Sequence, residues 1–309
     1  MKVYHSIESF EKLPYAVVTS GTFDGVHVGH QKILSRLREI STNSGGETVV
    51  LTFWPHPRMV VSEDSQDLQL LSTIEEKTEL LAQLGIQHLV IVPFTRSFSE
   101  LSSENFIRQV LVDRIGTKKL VIGYDHRFGR NREGSFEFLQ QNASQYGFEV
   151  EEISRQDIDQ LAISSTRIRK ALLEGDVKEA NELLGRPYEF SGTIVKGKQL
   201  GRTIGFPTAN VLVRENYKLI PANGVYIIRA KHAGTVYGGM LNIGTRPTVD
   251  GTNRTIEANL FEFNKEIYGE KLQVELLHYL RPEHKFNSLD DLMQQIKADK
   301  EQSLSYLTQ

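Results

Sequence analysis

Between the apolar run Tyr15-Ala16-Val17-Val18 and the periodic segment Ile33, Leu34, Leu37, Ile40 lies Gly21-Thr22-Phe23-Asp24-Gly25-Val26-His27-Val28-Gly29-His30. Strand, tight turn and helix in that order belong at the carboxyl edge of a parallel sheet. Free backbone N–H groups and the positive end of a helix dipole meet there, and an anionic phosphate can be held between them. Gly21, Gly25 and Gly29 permit positive φ or a close approach of backbone to ligand. His27 and His30 are three apart, so at a helix start both project to one side. Two imidazoles beside bound phosphates can donate hydrogen bonds to charge developing on a phosphoryl group and its leaving group. Packing alone is the competing reading of the glycines, and a zinc pair that of the histidines. The chain has no cysteine and no His-Glu-x-x-His, which favours phosphate over zinc.

The pattern then alternates. Helices are expected near 30–41, 74–84, 103–112 and 135–146, and strands near 47–53, 87–92, 119–123 and 148–153. Val49-Val50-Leu51 and Leu89-Val90-Ile91-Val92 are continuous apolar runs, as parallel strands covered on both faces require. A doubly wound, Rossmann-like α/β sheet follows. Three loops leave its strands where ligands bind: Gly21 to His30, Trp54-Pro55-His56-Pro57, and Gly123-Tyr124-Asp125-His126-Arg127-Phe128-Gly129. Ile163-Ser164-Ser165-Thr166-Arg167-Ile168-Arg169 opens a further helix; its hydroxyls can cap that helix, and its arginines match phosphate oxygens in a bidentate way.

At Gly185-Arg186-Pro187 the helical pattern stops. Short β-rich runs follow (188–196, 224–230, 238–243, 256–263, 272–279), with one helix over 288–307, which predicts a small antiparallel barrel. The boundary expected from this change of texture makes 1–184 one domain and 185–309 another. Gly192 to Gln199 nearly matches a Walker loop, but Gln199 replaces the hydroxyl residue and Thr193-Ile194-Val195 reads as strand, so that motif is rejected. Gly197-Lys198-Gln199-Leu200-Gly201-Arg202-Thr203-Ile204-Gly205-Phe206-Pro207-Thr208-Ala209-Asn210 instead resembles a flap able to fold over phosphates. Thr208 and Asn210 lie two apart in an extended stretch and offer oxygen ligands on one side for a hard cation such as Mg²⁺. Alternation along 255–263 puts Glu257, Asn259, Phe261 and Phe263 on one face and Ile256, Ala258, Leu260 and Glu262 on the other.

Thirty-six basic against 39 acidic residues leave a net charge of −3, which points away from a broad nucleic-acid or membrane surface and toward small-molecule substrates. Zero cysteines, an N-terminus without an apolar signal run, and no stretch of roughly 18 apolar residues place the expected protein in the cytoplasm. The sequence leaves the oligomeric state open.

Gly-x-Phe-Asp-Gly-x-His-x-Gly-His resembles the nucleotidyltransferase signature of the bacterial bifunctional riboflavin kinase/FAD synthetase family. Ser164-Ser165-Thr166 with Ile168-Arg169, Gly201-Arg202 with Gly205-Phe206-Pro207-Thr208-Ala209-Asn210, Asn242-Ile-Gly244-Thr-Arg246-Pro247-Thr248 and Tyr268-Gly269 extend the resemblance over nearly the whole chain. It implies that ATP phosphorylates riboflavin to FMN in the barrel and that AMP passes from ATP to FMN in the α/β domain, giving FAD and pyrophosphate, with Mg²⁺ in both steps. His27, His30, Arg169 and Glu257 are then the expected catalytic residues. Nucleotide contacts are expected from Gly21, Thr22, Phe23, Asp24, Gly29, Ser164, Ser165, Thr166, Gly197, Lys198, Gly201 and Arg202. Flavin contacts are expected from Asp125, Phe128 and Arg281, and Mg²⁺ ligands from Thr208 and Asn210. Glu257 is the expected base that takes the ribityl hydroxyl proton. Two positions depart from the pattern: Asn259 where the family commonly has His, and Val249 where Phe is usual. The rival readings are an adenylyltransferase for another phosphate ester and a flavin- or nucleotide-sensing binding protein.

Overall fold

The computed structural model describes residues 1–62, 68–124, 126–154, 163–197, 201, 204–248 and 251–308. The chain divides into two compact units, Met1–Ser165 and Thr166–Gln309.

The first unit is built on six parallel strands: β1 (Lys2–Tyr4), β2 (Ala16–Ser20), β3 (Glu47–Trp54), β4 (His88–Pro93), β5 (Thr117–Gly123) and β6 (Glu149–Ile153), in the order β1-β4-β3-β2-β5-β6. Side chains alternate between two cores. Ala16, Val18, Val49, Leu51, Val90, Val92, Leu120 and Ile122 pack against the helical segment Phe106–Ile115, while Val17, Val50, Leu89, Ile91 and Val121 pack against the helices Val28–Ser44 and Ile74–Gln83. Burial on both faces is why these strands read as unbroken apolar runs. The chain winds outward from β2 through β3 to β4, then returns to lay β5 on the other side of β2. The strand order therefore reverses between β2 and β5, and their carboxyl ends frame the crevice where doubly wound sheets take ligands. Edge strand β1 has too short an apolar pattern to be read from sequence.

In the second unit β7 (Tyr188–Val195), β8 (Ala209–Leu212), β9 (Gly224–His232), β10 (Thr235–Thr248), β11 (Gly251–Leu260) and β12 (Lys271–Arg281) close into an antiparallel barrel, β10-β11-β8-β7-β12-β9. Gly192 sits inside β7, where a Cβ would meet Val211 and the Leu212 carbonyl, so Thr193-Ile194-Val195 of the Walker-like string is strand, as expected. Helices Ser165–Glu174 and Val177–Leu184 pack with this unit from Thr166 onward. The Ala222 N–H donates to the Leu172 carbonyl, and Asn181 donates to the Leu276 carbonyl while accepting from the Tyr188 N–H. The sequence pattern had grouped those helices with the α/β half. The helix Leu289–Leu307 finishes the chain, capped by Ser288. Among the described residues no helix is long and apolar enough to cross a membrane.

Candidate active sites

In the first unit the helix Val28–Ser44 begins at His27, whose Nδ1 accepts the His30 N–H at 3.3 Å. An accepting Nδ1 puts the proton of neutral His27 on Nε2, leaving that N–H as a donor. The His27 and His30 rings stack at 3.6 Å between centroids and 15° between planes, so the structure brings the two together as expected. His30 Nδ1 is sealed from solvent without a hydrogen-bond partner among the described residues. Burial first, then the charges of His27 and Lys77, hold this imidazole well below its usual range, so His30 is neutral at pH 7.

The turn is held from every side. Asp24 is 2% exposed; its carboxylate accepts the Leu71 N–H at 2.9 and 3.1 Å and the Ser72 N–H at 3.2 Å. The side chain expected to contact nucleotide therefore serves inward, as a clamp. The Thr22 carbonyl accepts from Thr52 Oγ1, the Asp24 carbonyl from Ser165 Oγ at 3.0 Å, and the Val26 carbonyl from Gln31. Left-handed backbone falls at Gly25 (φ 77) but also at Phe23 (φ 47) and Val26 (φ 41), not at Gly21 or Gly29. Strain of this kind in a non-glycine residue persists only where surroundings over-determine it, and it collects at ligand clamps. Gly21 lies against the Phe23 ring, and Gly29 lies inside the helix.

Across the strand-order reversal, Ser20 Oγ at the end of β2 meets His126 Nε2 after β5 at 3.3 Å. Phe128, expected on flavin, is half-buried at the margin of the core, its ring against Phe106 (5.5 Å between centroids) and over Gly134. Asp125 lies outside the described residues. Ser164 is exposed, while Thr166 and Arg169 belong by packing to the second unit. His56 is buried and caps the short helix Pro57–Val61 by accepting the Arg58 N–H.

One residue was missed. Lys77, on the helix Ile74–Gln83, is 3% exposed, and its Nζ reaches Thr52 Oγ1 at 3.5 Å. Burial pushes its ammonium down to about 8 against the opposing pull of Asp24. A lysine in step with Ile74, Leu80, Leu81 and Leu84 on the apolar face of a helix was the signal that could have found it.

In the barrel, Glu257 of β11 pairs in register with Asn210 of β8, and the Thr208 hydroxyl donates to Glu257 Oε2 at 3.4 Å. The three expected residues are thus brought together. Gly197 abuts Asn210 so closely that a Cβ would overlap its amide, and a Cβ on Gly201 would overlap the Phe206 carbonyl. Gly201 closes a turn by accepting the Phe206 N–H at 2.8 Å. Asn259 donates to the Pro207 carbonyl at 2.7 Å, tying flap to strand. Lys198, Arg202 and Val249 lie outside the described residues. The alternation expected along 255–263 holds to Leu260 and then breaks, because β11 ends there and Glu262 takes a left-handed turn (φ 55). Phe261 and Phe263 leave the Glu257 face, Phe261 for Lys300 and Phe263 for His232 and Tyr237. Arg281, expected on flavin, is engaged with buried Asp299 through Nε (3.0 Å) and Nη2 (2.7 Å), and its Nη1 donates to the Pro282 carbonyl. A flavin contact would need the guanidinium released from that pair.

The first unit matches the family model described as FAD synthetase over residues 9–167, and the second matches the one described as riboflavin kinase over residues 184–307. A bifunctional riboflavin kinase/FMN adenylyltransferase of Listeria monocytogenes is 40% identical over 291 residues, covering 94% of this chain and 92% of the relative. The chain belongs to this family. The enzyme of the same description from Bacillus subtilis is 37% identical over 303 residues, covering 96% of this chain and 94% of the relative. A solved structure from Streptococcus pneumoniae, titled a macrolide-efflux protein, superposes with a TM-score of 0.87 at 33% identity over 97% of both chains. Membership of the riboflavin kinase/FMN adenylyltransferase family makes the chain a transferase with two activities in flavin cofactor synthesis.

Proposed function

We propose that the first unit transfers the adenylyl group of ATP to FMN at the Gly21–His30 turn, releasing pyrophosphate, and that the barrel phosphorylates riboflavin with ATP beside Glu257. The observation that carries this allocation is that each unit holds its own phosphate-suited constellation. In the first, the Nε2–H of His27 and the start of the helix Val28–Ser44 are donors for phosphate oxygens, fixed in place before substrate arrives. In the second, Glu257 accepts the proton of the ribityl hydroxyl as that oxygen attacks the γ-phosphorus, with ADP leaving; the Thr208 hydroxyl orients the carboxylate.

Thr208 and Asn210 supply neutral oxygens beside a carboxylate, a hard donor set that fits Mg²⁺ when phosphate oxygens complete it. Mg²⁺ held there would neutralise charge on the ATP phosphates. The functional boundary is placed at Leu184/Gly185, with riboflavin, FMN and ATP as the substrates. The cysteine-free composition supports a cytoplasmic setting.

The test is a double dissociation in the full chain, read by chromatographic separation of flavins. His27→Ala with His30→Ala should lower FAD formation from FMN by about 100-fold or more while FMN formation continues. Glu257→Gln should do the reverse. Loss of both products in both variants, with the fold retained, would refute the allocation.

A further inference from the structure

Among the described residues, Lys77 is a buried cation beside the turn that the reaction scheme above leaves without work. Its ammonium makes no ion pair within 4 Å among the described residues, and its single hydrogen bond is the long one to Thr52 Oγ1, a neutral acceptor. The nearby carboxylates are already taken: Asp24 accepts from Leu71 and Ser72, and Glu76 accepts the Thr73 N–H at 3.0 Å in a capping box. A buried charge so placed lowers stability, and a leucine or methionine on that helix face would pack without the penalty. Thr52 in turn donates to the Thr22 carbonyl at 3.2 Å, so the ammonium is one residue removed from the turn itself.

We propose that Lys77 is a positioning residue for adenylyl transfer, a fixed buried cation that braces the Gly21–His30 turn through Thr52 and sets the electrostatic field at the stacked His27–His30 pair. The proposal rests on reading that turn as the adenylyl-transfer site. Asp24, Glu76, His27 and His30 are the titratable groups around it; backbone N–H groups hold the two carboxylates in place, and Asp24 attracts the ammonium. The positive field of Lys77 also reaches His30, where it opposes a second proton. Removing the charge makes His30 easier to protonate, so whichever form is active, the limb of the pH–rate profile that His30 governs moves to higher pH.

The test uses the full chain with ATP and FMN. Lys77→Met should melt no lower than the wild type yet form FAD at least about 10-fold more slowly, with the His30 limb displaced upward in pH. Lys77→Arg keeps a charge that does not titrate, so it should retain the wild-type position of that limb. Normal FAD formation by Lys77→Met would overturn the proposal, as would a loss of equal size at every pH accompanied by a lower melting temperature, which marks a packing residue. If Arg does not fit, its melting curve shows it, and the Met profile alone decides. The parallel His27→Ala/His30→Ala variant separates the two ideas: if it forms FAD normally, the site reading fails, whatever Lys77 does.

Discussion

His30 is chemically unusual because burial, the stacked His27 imidazole and the Lys77 ammonium all oppose its proton. In the unfolded chain it titrates near the ordinary 6.5, whereas in the folded protein it stays neutral to much lower pH. Below about pH 6.5 the unfolded state therefore binds the extra proton, and the stability of the first unit falls as acid is added. The melting temperature of that unit should drop between pH 7 and pH 5, and His30→Gln should flatten the drop; an unchanged slope would assign the acid sensitivity elsewhere. Lys77 shows the complementary effect. Lowered from 10.5 to about 8, its charge costs roughly 3 kcal/mol of folding free energy at pH 7, a penalty relieved as pH rises between those values. Proximity was legible where type and spacing carry it, as for His27 with His30 and for Thr208 with Asn210, which the structure brings together. The contacts of Asp24, Phe128 and Arg281 were not legible. Spacing cannot tell that the Leu71 and Ser72 N–H groups, a Phe106 ring or the Asp299 carboxylate lie within reach.

At the scale of elements, the Gly21–His30 turn is a strained loop whose shape is maintained by its clamps. Asp24→Ala would leave the buried Leu71 and Ser72 N–H groups without their carboxylate and release the segment that also carries Thr73 and Lys77. Unmet buried donors cost about 1–3 kcal/mol each. The first unit should melt several degrees lower, and amide exchange at 71 and 72 should quicken more than exchange in β3 or β4; uniform acceleration would mean the clamp is not local. In the barrel, Gly197→Ala places a methyl into the Asn210 amide. FMN formation should fall at least about 10-fold by displacement of a residue in register with Glu257, while FAD formation from supplied FMN is unchanged. Element type was legible wherever a helical or alternating period persisted, as in β3, β4 and the helix Val28–Ser44. It failed for β8, only four residues long, and at Phe261, where the strand ends inside an apparently continuous alternation.

At the scale of the molecule, the change from alternating to consecutive strands is visible in the sequence, yet compactness divides the chain about twenty residues earlier. The reason is that helices Ser165–Glu174 and Val177–Leu184 carry an apolar stripe, Ile168, Ala171, Leu172, Val177, Ala180, Leu183 and Leu184, that reads the same whichever layer covers it. In the structure it is covered within the barrel unit, where Asn181 joins β7 to β12 and the Leu172 carbonyl holds Ala222. A chain beginning at Gly185 forfeits both anchors and exposes the barrel surface beneath them; one beginning at Thr166 keeps them. Each buried aliphatic side chain is worth roughly 1.5–3 kcal/mol relative to exposure, so uncovering the barrel surface lowers the stability of the shorter chain. Both shortened chains contain Thr208, Asn210 and Glu257, so both are expected to phosphorylate riboflavin at low temperature. The one starting at Thr166 should melt at least about 5 °C higher and keep its activity at temperatures where the other loses it. Equal melting temperatures would show that the two helices contribute nothing to the barrel.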